Sequence, residues 1–161
     1  MEIQFKSIND KMKIPMRANK GDAGYDVVIA GFSKITRVKG ERKLVPLNKD
    51  RYTITSGNRI AVNTGICVAL PEGTYLTATI RSGRAMWDGL YIPNAPCTID
   101  EGYRGEIIII VANGGSNPVS LNIGERIAQF ILKRYETIEW KETNTLPPSQ
   151  RGEGGFGSSG D

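Results

Sequence analysis

Residues 59–80 read RIAVNTGICVALPEGTYLTATI, two apolar, alternating runs divided by Pro71-Glu72-Gly73. Both runs are rich in Ile, Val, Thr and Tyr, which suit a pleated, half-buried surface, and neither carries a helical period. The dividing Pro and Gly mark a turn. The same grammar extends outward. YDVVIA (25–30), EIIIIVAN (106–113), NPVSL (117–121), RIAQFILKRY (126–135) and TIEW (137–140) read as strands. SGN at 56–58, NGGSNP at 113–118 and NIG at 122–124 punctuate them. Many short strands at this spacing predict an all-β sandwich, jelly roll or barrel. One helical turn is predicted in GRAMWDG, with Arg84 to Asp88 following a Ser82 N-cap. Residues 34–52 form a basic, loop-like stretch, and the two prolines of ETNTLPPSQ (142–150) mark a linker.

The chain has 161 residues, 39% hydrophobic and 24% charged, a balance that suits one soluble globular domain. No apolar run reaches the roughly 20 residues that span a bilayer, and the N-terminus lacks the pattern of a secretory signal. Two cysteines make neither a metal pattern nor a disulfide framework; Cys67, inside GICVAL, reads as a buried small hydrophobe. A reducing cytoplasm is the expected compartment. Histidine is absent, which removes Ser-His-Asp and Cys-His catalysis. Acid–base chemistry near neutral pH is left to a carboxylate, lysine, tyrosine or metal-bound water. A formal charge of +4 favours anionic partners. No basic helical stripe and no interleaving of basic and aromatic positions marks a nucleic-acid binder, so a small anion fits.

Four internal stretches have residues suited to chemistry. In DAGYDV, Asp26 is either a surface turn aspartate or a carboxylate that holds magnesium through water. In RSGRA, Arg81, Ser82 and Gly83 leave a strand end, either as an ordinary turn or as an anion site with a planar guanidinium fork. In GERIAQFIL, Ile127, Phe130 and Leu132 read as core, while Gln129 needs a polar partner if buried. NAPCTIDEGYRGE (94–106) describes a β-hairpin with Asp100 and Tyr103 near its tip. That tip is either merely polar or a site where Asp100 takes a proton from water and Tyr103 walls a sugar. The chain closes on RGEGGFGSSGD (151–161), whose glycines make ordering costly without a ligand.

In order, AGYDV, RSGRA, TIDEGYRGE, GERIAQ and RGEGGFGSSG resemble the five motifs of the trimeric dUTP diphosphatases, the dUTPases, across residues 22–160. The resemblance implies a jelly-roll-like all-β fold with one short helix, a core at 1–145 and a flexible C-terminal arm at 146–161 that closes over the site. It implies a homotrimer with shared active sites, hydrolysing dUTP to dUMP and diphosphate with Mg2+, which keeps uracil out of DNA and supplies dUMP for thymidylate synthesis. Asp100 matches the general base and Tyr103 the residue packed under the deoxyribose. Asn94, Thr98, Ile99 and Ile108 match the uracil-reading surface. Arg81, Ser82, Gly83 and Gln129 match phosphate ligands, and Asp26 a magnesium-linked carboxylate acting through water. Arg151 matches the γ-phosphate ligand, Phe156 the aromatic covering uracil, and Gly157 and Ser158 further phosphate donors.

The sequence departs from that pattern in places. Ile80 stands where proline often precedes the turn, and Arg84 replaces an apolar residue. Cys97 occupies a usual glycine position, Ser159 stands for threonine, and residues 34–50 are longer than the family minimum, predicting an inserted loop. Related dCTP deaminases share the fold but carry RSS and a glutamate base. A regulatory nucleotide-binding module, or a capsid-like or lectin-like jelly roll, would have less use for Asp100 and the glycine tail.

Overall fold

Thirteen strands and one helix follow one another in the structure, a computed structural model that describes residues 1–155. The first strands are β1 (Gln4–Ser7), β2 (Tyr25–Val28), β3 (Gly31–Val38), β4 (Glu41–Leu47) and β5 (Arg51–Ile54). Then come β6 (Arg59–Asn63), β7 (Ile66–Ala69), β8 (Thr74–Ile80), helix α1 (Ser82–Asp88) and β9 (Leu90–Tyr91). The last are β10 (Cys97–Ile99), β11 (Ile108–Asn113), β12 (Val119–Asn122) and β13 (Arg126–Arg134).

Two sheets carry the core. One has the order β10-β8-β13-β2 and the other β4-β3-β6-β11-β9, while β1-β7 and β12-β5 form two-stranded pairs. Val27, Leu76, Ala78, Ile127 and Phe130 from the first sheet merge with Phe32, Ile60, Val62, Ile109 and Val111 from the second in one buried cluster. Apolar faces of twisted sheets bury each other in this way, giving a jelly-roll-like all-β sandwich, as predicted. The alternation hidden in EIIIIVAN becomes visible: Ile107, Ile109 and Val111 are buried, whereas Ile108 and Ile110 turn outward and are half-buried. That outward face is where the site begins.

Several expectations change. RIAVNTGICVAL is two strands, because Gly65 breaks it with φ 72. Cys67 is half-buried rather than enclosed; Ile66 and Val68 on either side take the inward face of β7. Residue Arg81, not Ser82, is the helix N-cap, with extended backbone at φ −66 and ψ 138 and no side-chain capping bond. TIEW is not a strand: residues 137–140 are exposed, with Trp140 88% accessible and without a sheet edge to pair with among the described residues. The loop expected at 34–50 is the β3–β4 hairpin, closed by Lys39 and Gly40 at φ 50 and 85.

The hairpin expected at 94–106 also differs. Its arms join different sheets: β10 pairs with β8, while β11 pairs with β6 and β9. The Asp100–Tyr103 turn is thus a corner crossing between sheets. Its arms are parted, and the space between them is a cavity.

Candidate active site

That cavity measures about 410 Å3 and is lined by Asn94, Thr98, Ile99, Asp100, Tyr103 and Ile108, among others. All six were singled out in the sequence. The Tyr103 amide donates to the Asp100 carbonyl at 3.1 Å, closing the turn. The Tyr103 hydroxyl donates to the Glu106 carbonyl at 2.9 Å and lies across Gly105. A Cβ on Gly105 would stand 2.5 Å from that hydroxyl, so glycine there lets the ring lie flat along the chain. The Glu106 carboxylate anchors the far side, accepting from the Gly65 amide and from Asn63 Nδ2, each at 2.8 Å. Glu101 Oε2 accepts from the Gly73 amide at 2.6 Å, and the Arg104 guanidinium donates to the Glu101 carbonyl. Glu101, Tyr103 and Glu106 around Asp100 are thereby tied down. Among the described residues, no hydrogen bond or ion pair engages the exposed Asp100 carboxylate itself. An unengaged carboxylate on a fixed corner is free to accept a proton.

Cys97 lines the same cavity and is buried. Burial pushes its thiol pKa up by penalising the thiolate, with a hydrogen bond to Asn94 pulling the other way.

A second cavity, about 370 Å3, gathers Asp22, Gly24, Asp26, Arg81, Ser82 and Gln129. Sheet pairing builds it. Gln129 on β13 faces Asp26 on β2 and Thr79 on β8, so residues far apart in sequence become lateral neighbours. Gly24 makes room: a Cβ there would lie 2.3 Å from Gln129 Oε1 and 3.1 Å from its Cβ. Asp26 is only 13% exposed and holds two guanidinium groups, Arg81 Nε on Oδ1 at 3.0 Å and Arg126 Nη1 on Oδ2 at 2.9 Å. Two guanidinium groups converge on that carboxylate, while Asp22, whose Oδ2 accepts from the Asn19 amide at 2.8 Å, adds a second anion to the cavity. Arg84, the other departure, is occupied by Asp88 at 2.8 Å and Glu125 at 2.5 Å.

The donor set limits any metal. Among the described residues no three His, Cys, Asp or Glu side chains gather into a metal site. Both Asp26 oxygens already accept from arginines. Such a carboxylate fits magnesium only through water, with the remaining ligands brought by a substrate.

The two cavities share no lining residue. Gly83 lies beside the second without lining it. Arg151 lines neither; its Nε donates to the Gly154 carbonyl at 2.8 Å in a local turn. Phe156, Gly157 and Ser158 lie outside the described residues. Sequence reasoning missed Arg126, Glu106 and Gly105. Arg126 directly precedes the IAQ run, and Gly105 and Glu106 follow Tyr103 within the quoted YRGE, so the signal was adjacency to residues already chosen.

The all-β sandwich thus holds one cavity lined by Asp100 and Tyr103 and another lined by Asp26, Arg81 and Gln129. The sequence model of the dUTPase family matches residues 10–160. The chain is 40% identical to the deoxyuridine 5'-triphosphate nucleotidohydrolase of Rickettsia bellii, over 92% of this chain and 87% of that one. It is 36% identical to the enzyme of the same name from Corynebacterium diphtheriae, over 98% and 92%. Among solved structures, the dUTPase of Staphylococcus bacteriophage 80alpha with dUPNHPP superposes with a TM-score of 0.81 at 26% identity, covering 99% of each chain. The chain belongs to the dUTPase family.

Proposed function

We infer that this protein is a dUTP diphosphatase, converting dUTP and one water to dUMP and diphosphate. The observation that carries the reading is the cavity holding the unengaged Asp100 carboxylate beside Tyr103, Asn94 and Thr98. In this reading Asp100 takes a proton from the attacking water. The new P–O bond comes from that water, and the linkage between the α- and β-phosphates breaks, with diphosphate leaving. Tyr103 packs under the deoxyribose, where a 2′-hydroxyl would collide. Asn94, Thr98, Ile99 and Ile108 read uracil, and cytosine would leave mismatched buried groups there. Arg81, Ser82, Gly83 and Gln129 hold phosphates and place them. Asp26 would hold, through water, a magnesium ion brought by the triphosphate, and that ion would supply charge neutralisation at the phosphate oxygens.

We further propose a homotrimer. The base-side and phosphate-side cavities share no residue, so a substrate spanning both is best served when one subunit supplies each. The exposed Trp140, together with Leu146 at 82% accessibility, marks the passage from core to arm as surface awaiting a second copy. Residues 1–145 form the core and 146–161 the arm, whose Arg151, Phe156, Gly157 and Ser158 close over the nucleotide. No helix among the described residues is long and apolar enough to cross a membrane, and both cysteines are free thiols. A cytoplasmic setting accords with the free thiols. Purified protein given dUTP or dCTP, with diphosphate and ammonia measured, tests the reaction. Diphosphate from dUTP alone is expected. Ammonia from dCTP would make it a deaminase, and no product from either would leave a binding module.

A further inference from the structure

The β3–β4 hairpin gathers charge that lines neither of the two cavities. Its residues 34–45 include Lys34, Arg37, Lys39, Arg42 and Lys43 against a single acid, Glu41. The chain has 21 basic and 17 acidic residues, so sixteen of each remain elsewhere and cancel. The whole formal charge of +4 therefore resides in this hairpin. Pairing makes it a ribbon that outruns the sheet. β3 pairs with β6 only at residues 31–33, and β4 pairs with β3 alone among the described residues. From Ser33 to Val38 the ribbon continues roughly 17 Å beyond its last rung with β6. Every residue from 37 to 46 is exposed. Lys39 and Gly40, both with positive φ, close the ribbon in a two-residue turn. A lysine thus sits at the tip, where glycine or asparagine adopts that backbone more readily.

The register sets like charges against each other. Arg37 stands directly across the ladder from Arg42, on the face that carries Ile35 and Leu44 two positions nearer the sheet. Lys34 and Lys43 occupy the other face, where Glu41 meets Lys43 at 3.0 Å. Among the described residues, no carboxylate pairs with Lys34, Arg37, Lys39 or Arg42. Like charges directly opposite weaken a ladder, whereas opposite charges support it. Guarding an open strand edge needs charge of either sign, so a glutamate across from Arg37 would guard the edge and stabilise the hairpin together. Edge protection leaves the matched sign unexplained. Binding of a polyanion explains it.

We propose that residues 34–45 form a second binding site, a cationic ribbon that holds the phosphate backbone of a DNA duplex without reading its sequence. Cations lie on both faces and at the tip, whereas a lipid surface meets one face and takes an apolar one opposite. Duplex DNA sets one negative charge per roughly 1.7 Å of its axis. Its major groove, flanked by phosphates on both sides, admits a two-stranded β-ribbon, which the narrow major groove of an RNA duplex does not. The ribbon carries no aromatic residue on which unpaired bases could stack, which separates it from single-strand binders. None of its five cations lines the Asp100 or the Asp26 cavity, so DNA and a nucleotide can be held together.

The test is fluorescence anisotropy of a labelled, mixed-sequence DNA duplex of about 20 base pairs with the full-length protein, at about 50 to about 200 mM salt. Wild type is expected to bind, with log Kd rising against log salt at a slope of about 3–4, one phosphate for each cation without a carboxylate. Arg37→Gln/Arg42→Gln is expected to weaken binding about tenfold or more at the lower salt and to cut the slope by about two. Lys13→Gln/Lys141→Gln removes as much charge from exposed positions outside the ribbon and should stay within about twofold of wild type. The ribbon variant should melt no earlier than wild type, because a like-charge contact is relieved. No duplex binding by wild type, an equal loss in both variants, or undiminished binding by the ribbon variant overturns the proposal. So does a ribbon variant that loses phosphatidylserine vesicles but keeps the duplex, which would make the hairpin a membrane contact. A raised KM for dUTP in the ribbon variant would assign the arginines to the triphosphate and overturns it as well. If the ribbon variant melts early, Lys34→Gln/Lys39→Gln replaces it under the same expectations. Wild-type protein that leaves dUTP intact would defeat the reading of the Asp100 site alone, since duplex binding is measured without turnover.

Discussion

The cavity around Asp100 is walled by isoleucines, a tyrosine and a buried cysteine, and leaves its one carboxylate without a partner among the described residues. The cavity around Asp26 is walled by an ion pair, Arg81 on Asp26, and by Asp22, whose carboxylate accepts from Asn19. The first is fixed by packing and backbone: a corner pinned through Glu101 and Glu106, and a ring laid over Gly105. The second is fixed by ion pairs, and under the proposed reading a triphosphate would compete for them, since Arg81 cannot give all its donors to Asp26 and to phosphate together. Recognition of a neutral base wants rigid shape, because its hydrogen bonds are few and a wrong base must be refused. Recognition of a polyanion wants charge held in place at low cost until the ligand arrives. Under the proposed reading one chain carries both solutions, and it carries them apart.

The largest expected effect breaks the chemistry on one side only. Asp100→Asn should cut kcat by about 10²–10⁴-fold. Dissociation of a non-hydrolysable dUTP analogue should stay within about tenfold, since no binding group is removed. Near-normal turnover would remove Asp100 from the role of base. Next, the separation of the cavities is open to complementation. Asp100→Asn and Arg81→Ala chains, each inactive alone, are unfolded together and reassembled in equal amounts. If each site takes one cavity from each of two subunits in a cyclic trimer, about a quarter of wild-type turnover should return. A mixture as dead as its parents would put both cavities of a working site on one chain.

A smaller effect is expected at Gly105. Gly105→Ala should push the Tyr103 ring out of place without unfolding the corner, raising the UTP-to-dUTP ratio of kcat/KM by about tenfold. An unchanged ratio would mean that the ring is not what excludes the ribose. The smallest concerns Cys97. Its buried thiol, raised by desolvation, should be alkylated at pH 8 about tenfold more slowly than half-buried Cys67. Bound dUMP should slow it further, whereas Cys67 should not respond; protection of both alike would place Cys97 away from the base.

The sheet sandwich was legible because alternation and glycine punctuation survive in almost every run, even in EIIIIVAN. Segment 137–140 misled because its pattern is that of a strand, while pairing depends on an edge that local sequence does not reveal. The β3–β4 hairpin was hidden for the opposite reason. Its alternation is masked by lysines and arginines on both faces, and Lys39 supplies a left-handed turn residue where glycine or asparagine is expected. Within the site, side chains from single motifs were readable, but the division into two cavities is a matter of which sheet each arm joins. Residues 94–106 look like a hairpin locally and become a corner only because β8 and β6 capture the two arms separately.

Gly24 carries a consequence for how variants of this protein would be scored. A methyl group at that position meets chiefly the far end of the Gln129 side chain, which can swing aside. Gly24→Ala should therefore melt close to wild type while withdrawing the amide from the phosphate-side cavity. A library sorted by thermal stability would keep the substitution, and one sorted by turnover would discard it. Disagreement between two such screens, plotted along the chain, would draw the outline of the site without a ligand ever being seen.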